Sequence, residues 1–250
     1  MICIILAAGY ATRLYPLTEN FPKPLLPIGG QAIIDWLLDD IDTSANISEY
    51  AVVSNHRFIN HFEVWARRKN LSAPVRVLDD GSTDNDTRIG AVMDIQLAID
   101  RLNPTADLLV IAGDNVLDFS LAQFIRYAQI KQTSCVMRYY EPDINRLKNS
   151  GVAQIDENDR IIKMIEKPAD PFSNWCTPPF YYYIKNDLHL IRRAIDDGCG
   201  IDAPGSLAAH LSSHTVIHAM EMPGSRYDIG TPESYQYVQS VYTGIVNAIK

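Results

Sequence analysis

The sequence predicts an α/β domain built on a mostly parallel, Rossmann-like mixed sheet flanked by helices. Three observations carry that reading. Short apolar runs of strand length alternate with helix-period segments up to residue 112, the first run closes on a turn of small residues, and beyond residue 133 the chain shifts to short strands joined by loops. Residues 2–6 are a β-branched run without alternation, as expected of a strand covered on both faces. Residues 32–38 carry Ile33, Ile34, Leu37 and Leu38 at helical spacing. Strands follow at 50–54, 75–78 and 107–112, with helices at 57–69 and 90–102 between them, and the fourth strand ends on Gly113-Asp114-Asn115. In the second half, 134–139, 151–155 and 161–166 read as strands, the last two forming a hairpin with a polar tip. A strand at 180–184, helices at 188–196 and 206–211, a strand at 215–220 and a helix from Glu233 complete the pattern. No linker or repeat interrupts the chain. We therefore expect a single domain with a first lobe at 1–133, a smaller second lobe at 134–232 and a C-terminal helix at 233–250.

Composition narrows the function. With 250 residues, 47% of them hydrophobic, the chain can bury a sizeable core and is not disordered. A net charge of −8 lacks the basic face that nucleic acid needs, so nucleic acid is excluded as the main partner. Cys3, Cys135, Cys176 and Cys199 show no paired spacing and read as reduced thiols. The apolar start at residues 2–8 has no basic flank and is too short for a signal peptide or a membrane span. A cytoplasmic protein without membrane contact is expected.

The chemistry concentrates in residues 6–28. Leu6, Ala7, Ala8 and Gly9 lead from the first strand into a loop of small residues, where backbone amides can approach a ligand unobstructed. Arg13 and Lys23 follow in an otherwise acidic chain, and Pro22, Pro24 and Pro27 stiffen the segment around Lys23. This is the composition of a polyphosphate cradle. It is neither a P-loop nor a dinucleotide fingerprint, because the required Gly and Gly-Lys spacings are absent.

This stretch resembles the signature of the sugar-phosphate nucleotidyltransferases, the nucleotide-sugar pyrophosphorylases: L-A-A-G-x-G-T-R-L-x-P-L-T followed by P-K-P-L-L-P. Ala11 replaces the second glycine. Further matching blocks follow in family order: Gly90-Ala91, Gly113-Asp114, Gly151-Val152, Glu166-Lys167-Pro168, and Asp228 to Glu233.

The resemblance implies the nucleotide-diphospho-sugar transferase fold, with the first lobe for the nucleotide and the second for the acceptor sugar. It implies transfer of a nucleoside monophosphate from a nucleoside triphosphate to a sugar 1-phosphate or similar phosphate ester, with release of pyrophosphate. Arg13 and Lys23 would be catalytic. Leu6, Ala7, Ala8, Gly9, Gly90, Ala91 and Asp114 would bind the nucleotide, Gly151, Glu166, Lys167 and Tyr181 the acceptor, and Asp114 and Asp228 would share Mg²⁺. Pro179 and Phe180 depart from the family's usual Gly-aromatic strand, which leaves open a CTP-dependent variant acting on a non-sugar phosphate such as phosphocholine. A glycosyltransferase would need a D-x-D motif, which Asp114-Asn115-Val116 does not supply. A non-catalytic regulatory relative would carry C-terminal hexapeptide repeats, and none occurs in these 250 residues. A monomer or homodimer is expected from the short tail. His210, His214 and His218 recur every four residues, but the third lies in a strand pattern, so surface or packing roles are expected of them. The acidic loop 79–86 reads as solvated, because it lacks EF-hand spacing.

Overall fold

The computed structural model describes residues 1–245. In chain order the strands are β1 (Ile2–Leu6), β2 (Pro27–Ile28), β3 (Gln31–Ala32), β4 (Glu49–Ser54), β5 (Val75–Asp79), β6 (Leu108–Ala112), β7 (Val116–Leu117), β8 (Ser134–Tyr140), β9 (Gly151–Ile155), β10 (Ile161–Glu166), β11 (Trp175–Thr177), β12 (Phe180–Tyr183), β13 (Ile217–Glu221) and β14 (Arg226–Tyr227). The α-helices are α1 (Ile33–Ser44), α2 (Ile59–Arg68), α3 (Ala91–Leu102), α4 (Ala122–Lys131), α5 (Ile144–Leu147), α6 (Leu188–Asp196), α7 (Pro204–Ser212) and α8 (Pro232–Val241). The expected C-terminal helix thus ends at Val241, and its portion at 246–250 lies outside the described residues. No helix among the described residues is long and apolar enough to cross a membrane.

The chain forms two compact units, each assembled from separated segments. The first comprises Met1–Arg88, Ala112–Gln123 and Pro223–Lys250, and the second Ile89–Ile111 and Phe124–Met222. In the first unit β1 and β5 flank β4 in parallel, with Ile4 beside Ala51 and Val52 beside Val77. Cys3, Ile4, Ile5, Ala51, Val52 and Val53 are fully buried, which is why these strands show no alternation. Helix α1 buries Ile33, Ile34, Leu37, Leu38 and Ile41, one face at helical spacing. A second apolar cluster of Leu14, Leu26, Ile28, Val116, Ile229, Tyr235 and Val238 ties the loop after β1 to the two-stranded ladder β7–β14 and to α8. Thr231 and Ser234 close a capping box at the start of α8, fixing the chain just beyond Asp228.

The second unit is a mixed sheet. Antiparallel pairs join β6 to β12, β12 to β8, β8 to β11, β11 to β9 and β9 to β10, while β13 runs parallel to β8. The expected hairpin at 151–166 is β9–β10, closed by a turn from Asp156 to Arg160. In β12 Tyr181 and Tyr183 stack at 6.0 Å on one face, and Tyr182 on the other donates to Asp107 Oδ2 at 2.7 Å. This is sheet packing.

Candidate active site

The first unit gathers the expected phosphate-binding residues. Ala7 is held by its amide on Val53 O (2.9 Å), and Asn55 Nδ2 donates to Ala8 O (2.9 Å), so the loop leaves β1 in a fixed direction. Gly9 is exposed, has no left-handed φ, and a Cβ placed on it would meet no atom of the described residues within 4 Å. The fold therefore has no need of glycine there, and the open space lies over the loop. Ala11 adopts the left-handed conformation (φ 48°, ψ 43°), and its carbonyl takes the Thr18 hydroxyl at 2.8 Å.

Lys23 sits in a single 3₁₀ turn (Lys23–Leu25) between prolines and is nearly buried. Its Nζ lies 2.6 Å from Asp114 Oδ2. Asp114 stands just past β6, and its other oxygen faces Asn115 Nδ2 at 3.4 Å. Burial alone would push the Asp114 carboxyl up. The Lys23 ammonium, with Arg226 adding to it, outweighs that and holds it below the usual carboxylate range. Arg226 Nη1 donates to Asn115 Oδ1 at 3.1 Å.

Asp228 follows β14, in which Tyr227 pairs with Val116. Continuing that register by one residue sets Asp228 across from Asn115, next to Asp114. Arg13 is exposed, and its guanidinium and the Asp228 carboxylate each approach to 3.8 Å of the Cβ position of Gly230. Lys23 with Asp114, and Arg13 with Asp228, thus lie in the same unit as the loop with free space above it.

The second unit gathers the expected acceptor residues around Glu166. A Cβ on Gly151 would meet Glu166 Oε2 at 2.8 Å and would collide with the Thr177 hydroxyl. A Cβ on Gly205 would collide with Glu166 Oε2 and would sit 3.5 Å from the Tyr181 hydroxyl. Two glycines therefore make room for one carboxylate. Burial raises the Glu166 carboxyl above its usual range; Lys167 lowers it less, and Asp202 raises it further. The Thr177 hydroxyl is buried with no hydrogen-bond partner among the described residues. Lys167 is half-exposed and held at φ 48°, a strained conformation for a residue before proline. Its amide bonds Ser150 O at 3.0 Å, and its ammonium lies 3.9 Å from Asp202 Oδ2.

Gly90 and Ala91 open α3 in this unit. Gly90 has φ 94°, a Cβ there would collide with Ile201 O, and the Ala91 and Val92 amides bond Asp202 O and Ile201 O at 3.3 and 3.0 Å. The glycine is thus demanded by the protein's own chain. Gly205, Thr177, Asp202, Asn115 and Arg226 were not among the expected site residues. Gly205 follows a proline and reads as an ordinary helix start, and Asn115 reads as part of the turn that ends a strand. Thr177 lies at the start of the segment that departs from the family's Gly-aromatic strand, and Asp202 and Arg226 sit in no motif.

Cations and carboxylates collected at the ends of strands in an α/β fold are the equipment of the nucleotide-binding class. The chain belongs to the nucleotidyl transferase family, which it matches over residues 2–244. It is 28% identical over 233 residues to the bifunctional protein GlmU of Methanocaldococcus jannaschii, covering 93% of this chain and 52% of that protein. It is 25% identical over 247 residues to the glucose-1-phosphate adenylyltransferase of Clostridium novyi, covering 94% of this chain and 64% of the relative. The chain spans between half and two thirds of the length of these relatives. The crystal structure of a UDP-glucose pyrophosphorylase complexed with UDP-glucose matches with a TM-score of 0.80 at 20% identity, covering 96% of this chain and 97% of that one. That likeness establishes the α/β fold.

Proposed function

We propose that this protein transfers a nucleoside monophosphate from a nucleoside triphosphate to a sugar 1-phosphate, releasing pyrophosphate. The observation that carries the reading is the Lys23–Asp114 pair at 2.6 Å, its lysine buried and its carboxylate partly exposed, with Lys23 held in a proline-stiffened turn beside the small-residue loop. A phosphate oxygen of the acceptor attacks the α-phosphorus, the bond to the β-phosphate oxygen breaks, and the bonding electrons leave with pyrophosphate. No protein nucleophile is required, so catalysis consists of aligning two anions and stabilising charge that builds on the oxygens at phosphorus. Lys23 supplies a fixed positive charge for that purpose. Arg13 holds the leaving pyrophosphate, and the amides around Gly9 receive phosphate oxygens. Glu166 accepts hydroxyl hydrogen bonds from the sugar, and Lys167 offsets the charge of its phosphate.

Asp114 and Asp228 offer carboxylate oxygens, the ligand type that hard divalent cations take, so the donor set fits Mg²⁺. When bound there, Mg²⁺ withdraws charge from the triphosphate oxygens.

A pyrophosphate-release screen of four nucleoside triphosphates against sugar 1-phosphates and amino-alcohol phosphates tests the proposal. Release with a sugar 1-phosphate is expected. Release only with an amino-alcohol phosphate would turn the reading toward the CTP-dependent variant, and no release with any pair would overturn it. Lys167→Met separates the two substrates: the acceptor KM should rise sharply while triphosphate affinity, measured calorimetrically without acceptor, stays near wild type. The reverse pattern would move Lys167 to the nucleotide, leaving Lys163, Lys185 or Arg226 as the cation for the acceptor.

A further inference from the structure

We infer that Asp197, His210 and His214 form a binding site for a transition-metal dication such as Zn²⁺, separate from the Asp114 and Asp228 carboxylates. Asp197 caps the C-terminal end of α6, His210 lies in the last turn of α7, and His214 follows just beyond that helix. Their ligand atoms all lie within 4.8 Å of one another.

Two details favour a metal over an incidental surface cluster. His210 Nε2 is 3.3 Å from Asp197 Oδ2, yet it is buried without a hydrogen-bond partner among the described residues. That separation is the one expected of two ligands on a tetrahedral ion, since metal–ligand distances of about 2.0–2.2 Å at a tetrahedral angle place the donor atoms roughly 3.3–3.6 Å apart. Second, His214 Nδ1 lies 3.0 Å from the His210 carbonyl oxygen. A carbonyl accepts only, so Nδ1 carries the proton and the lone pair sits on Nε2, the tautomer and backbone support found behind metal-bound histidines. The two imidazoles stack at 4.5 Å with 14° between their planes, so the exposed His214 ring must turn before both Nε2 lone pairs can point at one ion.

Imidazole nitrogen with one carboxylate selects Zn²⁺, Ni²⁺ or Co²⁺ over Mg²⁺. The competing group is Arg193, whose Nε approaches Asp197 Oδ2 at 3.5 Å along α6. Both partners of that pair are largely exposed, so it is a weak competitor. Three protein ligands leave a fourth position for water, and the bound ion would clip the end of α6 to the end of α7, adding to stability.

Chelator-stripped protein in excess Mg²⁺, which occupies the carboxylate site, is titrated with Zn²⁺ against a chromophoric chelator. Wild type should bind one Zn²⁺ that His214→Gln and Asp197→Asn bind at least about tenfold more weakly. Zn²⁺ should also raise the wild-type Tm and leave that of His214→Gln unchanged. Because His214 is exposed and lies beyond the helix, His214→Gln keeps the test valid should His210→Gln fail to fold. Unaltered Zn²⁺ affinity in His214→Gln would overturn the assignment. So would loss of binding in Cys199→Ser, which would place the ion on the thiol two residues along the chain from Asp197 instead.

Discussion

Asp114 and Glu166 are two carboxylates that their surroundings move in opposite directions. Asp114 touches Lys23 and lies within reach of Arg226, and these cations override its burial and keep it ionised. Glu166 is placed among Gly151, Gly205, Thr177 and Tyr181, where burial dominates and its carboxyl is raised. The first unit is thus prepared by neutralisation and the second by desolvation. A site for a polyanion must concentrate charge, whereas a site for a neutral sugar ring needs an acceptor that water has been kept from. The difference can be broken from either side.

The largest effect is expected at Lys23. Lys23→Ala removes the charge that we propose acts on the transition state, and a fall in kcat of about a hundredfold or more should follow. The same variant exposes the second half of the comparison, because Asp114 would lose its nearest cation and its carboxyl should rise. Asp114 now contributes stability above the ordinary carboxylate range that is lost as pH falls through its lowered value. In Lys23→Ala that acid-side loss should shrink in thermal melts, because the raised carboxyl closes the gap to its unfolded value. Near-normal turnover in a folded variant would remove Lys23 from catalysis.

Gly9→Ala comes next. A methyl there meets nothing within 4 Å among the described residues, so Tm should hold, yet it enters the space we assign to triphosphate. A loss of triphosphate affinity on the order of tenfold, about 1.4 kcal/mol, is expected by calorimetry. Unchanged affinity would show that the nucleotide lies elsewhere on the loop.

Glu166→Gln should give a smaller and opposite effect on stability. A raised carboxyl means that the folded state holds its proton more tightly than the unfolded one, so ionisation costs stability above the folded value and costs nothing below about pH 4, the ordinary glutamate range. Gln removes that cost while keeping the shape. At neutral pH the variant should melt a few degrees higher, and its advantage should vanish as pH approaches 4. Acceptor KM should rise in the same protein. A lower Tm at neutral pH would show that the ionised carboxylate is better paired than its burial implies.

Much of this was legible in the sequence because the relevant residues are close in the chain or sit at strand ends. The loop from Leu6 to Lys23 is local, and β1, β4 and β5 are long enough to show their pattern. The two-residue strands β2, β3, β7 and β14 are not, since no periodicity can be read from two positions, so the ladder that places Asp228 beside Asn115 stayed hidden. Helix α4 carries only Phe124, Ile125 and Ala128 on its buried face, too weak a stripe to stand out. Gly205 makes room for a residue 39 positions earlier, and Asp197 reaches His210 from another helix. Spacing alone does not carry such contacts. The histidines illustrate both sides: His218 does lie in a strand, β13, while His210 and His214 acquire their meaning only from Asp197.

The smallest effect is expected where the chain departs from the family's signature. Ala11 holds φ 48° and ψ 43°, a conformation that costs a residue with a Cβ roughly 1–2 kcal/mol and glycine almost nothing. Ala11→Gly relieves that strain but gives the unfolded chain more freedom, which offsets about 0.4–1 kcal/mol. It also removes a methyl that packs against the cluster around Leu14 and Ile229, whose full burial would be worth no more than about 0.8 kcal/mol. The balance is a gain below about 1 kcal/mol, a shift of a few degrees in Tm at most. Ala11→Val should reverse the sign, because a β-branched side chain is poorly tolerated at positive φ. If both variants lower the Tm equally, the methyl of Ala11 is serving packing more than its backbone is suffering strain, and alanine at this position is the better residue for this particular core.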